Sequence, residues 1–215
     1  MTSYIREPFN ALSHLVGAVL SFAGLLAMVI KVSVDRSPAL NISAVIIFGT
    51  SLILLYSAST IYHTALAKDK VIAFLRKLDH SMIYVLIAGS YAPFCLIALN
   101  GNLGYIIFSI VAIAALCGVL FKMVWFNSPR WLSTALYVVL GWVIVFAIVP
   151  LSSALGAAGL FWLIFGGAMY TIGGVIYALK PIFLESKHLG FHEIFHLFIL
   201  TGSLAHFVSI YFYVL

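Results

Sequence analysis

The chain has 215 residues, of which 64% are hydrophobic and only 8% charged, with a mean hydropathy of +1.18. A soluble domain is about 25% charged, and no soluble core of this size could bury so much apolar surface, so the solvent must be lipid. The net charge of +5 comes from lysines and arginines in short loops, where membrane orientation accounts for it and nucleic-acid binding does not.

A bilayer-crossing helix needs about 20 predominantly apolar residues. Seven stretches qualify: roughly 11–31, 42–65, 79–99, 103–124, 131–150, 157–179 and 192–214. With short connections and no clear internal repeat, they predict an all-α fold, a single seven-transmembrane helix bundle over residues 1–215. The N-terminal MTSYIREPFN has no basic run before its apolar stretch, which carries on to about Ile30, so it reads as a span and not as a cleaved signal peptide.

In the first span Glu7, Asn10 and His14 share one helical face. They fit a polar strip facing a chamber, and equally a capped interfacial helix start with Pro8 in its first turn. The second span ends on Ser59 and, one turn later, His63. Asp79 opens the third span, and Pro93, inside it, should kink the helix unless neighbours satisfy the freed carbonyl. Cys95 and Cys117 lie in apolar stretches and read as packing residues, not as a disulfide. SPRWLS, with Trp125 and Trp131 nearby, looks like an interfacial turn with aromatic anchors.

The seventh span opens on His192 and His196. Standing four apart, both imidazoles project from one helix face, one turn from each other. The segment also reads HExxH, the zinc-protease pattern with glutamate as general base. Here, though, it begins a membrane helix without a protease domain around it. Glu193 is equally explained by a favourable interaction with the helix N-terminus.

Nine of the eleven lysines and arginines fall on the side of the N-terminus, with only Lys31 and Arg36 on the other. That asymmetry predicts a cytoplasmic N-terminus and an extracytoplasmic C-terminus. His63, Asp79, His192 and His196 then lie at one depth, at the cytoplasmic end, delivered by three separate spans. Ionisable groups in a membrane are costly and mark function. Three histidines without a suitably placed cysteine fit the open, catalytic kind of Zn2+ site, in which a fourth position is left for water. Asp79 is then placed to orient that water or accept its proton, and Ser59 to fix the water or a substrate carbonyl. The competing reading is that these histidines are interfacial residues bonded to backbone or headgroups. That reading is kept for His80 and His188, at loops or span edges. His14 and His206 are expected to pack or to form hydrogen bonds; His206 stands about 15 Å along the helix from His196, too far to share its metal.

The set Ser59, His63, Asp79, His192 and His196 resembles the hemolysin III family, the bacterial branch of the progestin and adipoQ receptor (PAQR) family. That branch falls within the wider ceramidase-like membrane hydrolase superfamily. Supporting pieces are Glu7, Asn10 and His14 leading into Gly17, LDHSMIYVLIAGSYAPF at 78–94 and the closing HFVSIYFYVL at 206–215. The resemblance spans essentially the whole chain. It implies a seven-helix bundle with zinc on His63, His192 and His196, a water there hydrogen-bonded to Asp79, and Ser59 beside it. The alkaline ceramidases share this residue set. Receptor relatives carry a long cytoplasmic N-terminal region, whereas about ten residues precede the first span here, so a receptor role is not expected.

Three functions compete. The first is a zinc-dependent hydrolase of lipid amide or ester bonds, with membrane lipids as partners and an acyl-bearing lipid as substrate. The second is a cytolytic or channel-like protein, which the apolar outer half of spans four to six disfavours, since a pore needs a polar path across the whole thickness. The third is a regulator of membrane homeostasis whose zinc only ties helices together. The expected location is the bacterial cytoplasmic (inner) membrane.

Overall fold

The structure, a computed structural model, describes residues 4–125, 127–181, 184–186 and 189–215. His188 and Lys187 lie outside the described residues. The described residues form helices and no strand: α1 (Pro8–Val34), α2 (Ala39–Thr64), α3 (Asp69–Pro93), α4 (Asn102–Val124), α5 (Arg130–Trp142), α6 (Ile148–Leu179) and α7 (Phe191–Tyr213). Six stretches are long and apolar enough to cross a membrane, the stretch from Arg130 to Leu179 counting as one of 50 residues. Their outer faces carry bare apolar side chains, such as Phe146 at 85% and Val149 at 74% exposure. Water would drive such surfaces together; lipid tails accept them.

The fifth predicted span (131–150) runs past the end of α5 at Trp142, and the sixth (157–179) begins nine residues into α6; the first, second, fourth and seventh coincide with their helices to within a few residues. The third does not: α3 starts at Asp69, ten residues before the apolar run. Its first turns mix Lys70, Arg76 and Lys77 with Val71 and Phe74, so a search for apolar length misses a helix that begins outside the hydrocarbon. Pro93 does not end α3. Proline lacks the N–H that would bond back to Gly89. The chain passes directly into a π turn, Phe94–Ala98, closed by the Leu99 N–H on the Phe94 carbonyl at 2.9 Å. After α5 the chain tightens into a 3₁₀ turn, Val143–Ala147, and α6 is broken at Gly156, whose φ of +64° and ψ of 178° leave the helical region.

Helices α1 and α2, α2 and α3, and α6 and α7 make the most extensive pairings, and α1 also touches α7. Close approach in a bilayer depends on small residues. Gly159, Gly166 and Gly173, seven apart on α6, lie under Tyr213, His206 and Phe198 of α7, where any Cβ would collide. Buried polar groups tie the middle of the bundle: Tyr56 of α2 donates to Ser203 Oγ of α7 at 2.6 Å, and Tyr170 of α6 lies 2.8 Å from the same hydroxyl.

Two end contacts fix the direction of α1 against α7. At one end the Glu7 N–H donates to the His63 carbonyl at 3.0 Å, beside the start of α7; at the other, Lys31 Nζ donates to the Tyr211 carbonyl at 2.6 Å. Helices α1 and α7 therefore run parallel. The last turn of α2 and the first turns of α1 and α7 meet at one end, which places the site.

Candidate metal centre

His63, from the last turn of α2, and His192 and His196, from the first turns of α7, bring their ring nitrogens together. Nε2 of His63 lies 3.4 Å from Nε2 of His192, which lies 3.1 Å from Nε2 of His196. One nitrogen from each residue falls within 4.8 Å of the others, and among the described residues this is a group that could hold a metal ion. His63 and His196 are each 1% exposed, and His192 is half-buried. Two nitrogens bound at 2.0–2.1 Å and tetrahedral angles stand about 3.3 Å apart, so the two measured separations suit one small cation.

The opposite ring nitrogens support this. His63 Nδ1 lies 2.6 Å from Glu7 Oε2, the carboxylate–imidazole contact that fixes which nitrogen carries the proton and leaves Nε2 free as a ligand. The hydrogen bond with His63 is the chief cause that pulls the Glu7 carboxyl down to about 2; partial burial opposes it, and Asn10 and Arg6 assist. Asn10 Nδ2 donates to Glu7 Oε2 at 3.1 Å and to Glu193 Oε1 at 3.3 Å. Ser13 Oγ stands 3.5 Å from His196 Nδ1, and the His14 ring stacks on that of His196 with centroids 3.6 Å apart. Both ring nitrogens of His14 are buried and make no hydrogen bond to any described residue.

The face of α1 that carries Glu7, Asn10 and His14 thus turns toward the histidines. Glu7 precedes Pro8 at the helix start but makes no capping bond of its own. The helical spacing was readable in sequence; Ser13 was not, because a single serine in a membrane helix carries no signal of its neighbour. Glu193 serves as a cap, accepting the Gly190 N–H at 2.9 Å, so its carboxylate is engaged with the start of α7.

Behind the histidines opens a cavity of about 280 Å³ between α2, α3, α5, α6 and α7, with His14 of α1 and Lys122 of α4 also in its lining, close to the lower end of ordinary ligand sites at about 300 Å³. Asp79, Ser59, His192 and His196 all line it near one end, and apolar side chains such as Leu86, Phe94 and Ile148 line its depth. Asp79 is within electrostatic reach of His63 and Arg76. Ser59 Oγ approaches Asp79 yet closes no hydrogen bond of ordinary length. His80, expected at a span edge, sits inside α3 and lines this cavity, with Nε2 3.4 Å from the Tyr177 hydroxyl. The charged run before Asp79 suggested a boundary there because the helix itself starts further back. His206 pairs with the Leu163 carbonyl at 3.3 Å, deep in the same cavity. Cys95 is buried, Cys117 faces outward, and both are free.

Apolar helices around a buried group of metal-competent histidines define an integral membrane protein with a candidate metal centre. The chain matches the family described as "Haemolysin-III related" over residues 2–207. It is 38% identical over 216 residues to the Hemolysin-3 of Bacillus cereus, covering 100% of this chain and 95% of that relative. It is 39% identical over 208 residues to the Hemolysin-3 homolog of Bacillus subtilis (strain 168), covering 97% and 94% respectively. The chain belongs to the haemolysin III family, and with its bacterial relatives it is an integral protein of the cytoplasmic (inner) membrane type.

Proposed function

We propose that the protein is a seven-crossing membrane bundle that uses zinc to hydrolyse lipid amide or ester bonds. The observation that carries this reading is the meeting of three converging histidines with an apolar cavity whose near end holds Asp79 and Ser59. The donor set suits zinc, with His63, His192 and His196 as ligands and room for a fourth. When bound, zinc supplies a Lewis acid that polarises a carbonyl and acidifies water to a pKa of roughly 7. Asp79 accepts the proton that the attacking water loses and passes it to the amine or alcohol that leaves as the carbonyl C–N or C–O bond breaks. Ser59, with a hydroxyl not yet committed to a partner, donates to the carbonyl oxygen as negative charge builds on it. The cavity takes the acyl chain and keeps bulk water from the reacting carbonyl.

Seven crossings in one domain are supported by length and direction. Fifty helical residues would run about 75 Å against a hydrocarbon core of about 30 Å, and Gly156 offers the reversal. Parallel α1 and α7 agree with an odd number of crossings. The basic asymmetry sets the histidine end in the cytoplasm.

The test is lipid hydrolysis by purified variants, with zinc content checked in each. Asp79→Ala should abolish turnover while keeping much of the zinc. Glu193→Gln should keep most activity, since it alters a helix cap. A dead Glu193→Gln beside an active Asp79→Ala would make the HExxH glutamate the base. A second reading, a regulator in which zinc only ties α2 to α7, is favoured by the placing of all three ligands on those two helices. It gains if wild type turns over no lipid amide or ester.

A further inference from the structure

The end of the cavity beside the histidines is lined by more than the proposed machinery. Arg76 of α3, Lys122 of α4 and Arg130 of α5 all face it, against Asp79 as the carboxylate in its wall. Basic residues that serve only membrane orientation sit in loops, in water and among headgroups. These do not. Lys122 is 3% exposed, and its ammonium donates to Ser128 Oγ at 3.2 Å, which lies 3.2 Å from Ser133 Oγ. The Arg130 guanidinium is drawn over the Tyr177 ring, 5.5 Å from its centroid, and its buried Nη1 has no hydrogen-bond partner among the described residues. His80 stands within electrostatic reach of all three cations. Three helices thus bring cations to one chamber wall, with two hydroxyls and an open guanidinium nitrogen among them. Gathering like charges where water is partly excluded is costly unless an anion offsets them.

We propose that this wall is an anion subsite that holds the phosphate of a single-chain amphiphile whose tail enters the cavity. The proposal rests on the hydrolase reading for the word substrate: it makes the substrate class a phosphate-bearing lipid with one acyl chain. The cations meet the phosphate with charge-assisted hydrogen bonds, Arg130 through its open nitrogen and Lys122 as a point charge. Ser128 and Ser133 supply hydroxyl donors. The linkage between head and tail is thereby set beside Asp79, Ser59 and the histidines. One chain is specified because the cavity behind the cations has a volume of about 280 Å³, at the lower end of ordinary ligand sites.

The experiment separates binding from turnover by using ligands that cannot be hydrolysed. Purified full-length protein in neutral detergent is titrated with a single-chain alkyl-ether glycerol phosphate, with its counterpart lacking the phosphate, and with inorganic phosphate. The phosphate amphiphile should bind about tenfold or more tightly than its neutral counterpart, the scale of one or two hydrogen bonds between charged groups. Lys122→Gln and Arg130→Gln should each remove most of that preference, while Lys122→Arg, which keeps the charge, should retain it. Equal binding of the two amphiphiles would overturn the proposal. So would a preference untouched by both glutamine variants, or inorganic phosphate that binds as tightly as the amphiphile, since the chain would then contribute nothing. A phosphate preference in a protein that hydrolyses no lipid would strike the hydrolase reading and leave the anion subsite standing.

Discussion

His63 presents one ring nitrogen to its two partner histidines and the other to Glu7, so the two faces of this ring do different work. The carboxylate at 2.6 Å from Nδ1 holds the tautomer that leaves Nε2 free as a ligand. Glu7→Gln keeps the shape but loses the charge and can present its NH2 group to a nitrogen that needs an acceptor. It should weaken zinc binding by about tenfold, the scale expected for such supporting groups, measured by competition with a metal-sensitive chelator. Unchanged affinity would mean that the contact is only structural. Because protons compete with zinc for the same three imidazoles, zinc affinity, read by the same chelator competition, should fall as pH falls.

At the scale of helices, the geometry of the site depends on how closely α7 lies on α6. A Cβ at Gly166 would overlap the His206 ring, so Gly166→Val should force α7 outward. Overpacking of this kind costs about 1–3 kcal/mol and should lower both thermal stability in detergent and zinc retention. Gly141→Ala is the control: nothing lies within 4 Å of the added carbon, and stability should change by about 0.5 kcal/mol or less. Equal loss in both would contradict the packing argument. An all-helical membrane protein was legible because a bilayer demands a fixed apolar length, though α5 and α6 form one continuous apolar stretch where two separate spans were expected. The first turns of α3 were not, since Lys70, Arg76 and Lys77 interrupt the apolar run without interrupting the helix. Histidine spacing on α7 and the polar face of α1 could be read from the helical period. That α1 turns this face inward could not, because it depends on packing against α2 and α7. The basic chamber wall was hidden for the same reason: Arg76 lies far in sequence from Lys122 and Arg130, and each reads alone as an orientation signal.

For the whole molecule, orientation and metal content carry the account. A reporter fused after Leu215 should be active only if it is of a kind that works outside the cytoplasm; cytoplasmic activity there would overturn the number of crossings or the side on which the histidines lie. Zinc that joins α2 to α7 should also stabilise the bundle, so chelation should lower the unfolding temperature of the wild type. The central claim is that three histidines from two helices hold one zinc. Elemental analysis of the purified protein tests it most directly, on wild type and on His63→Ala and His196→Ala. Wild type should carry one zinc per chain, and each substitution should reduce bound zinc by about tenfold. Full zinc occupancy in both variants, or a wild type that takes up no zinc when supplied with it, would contradict the claim.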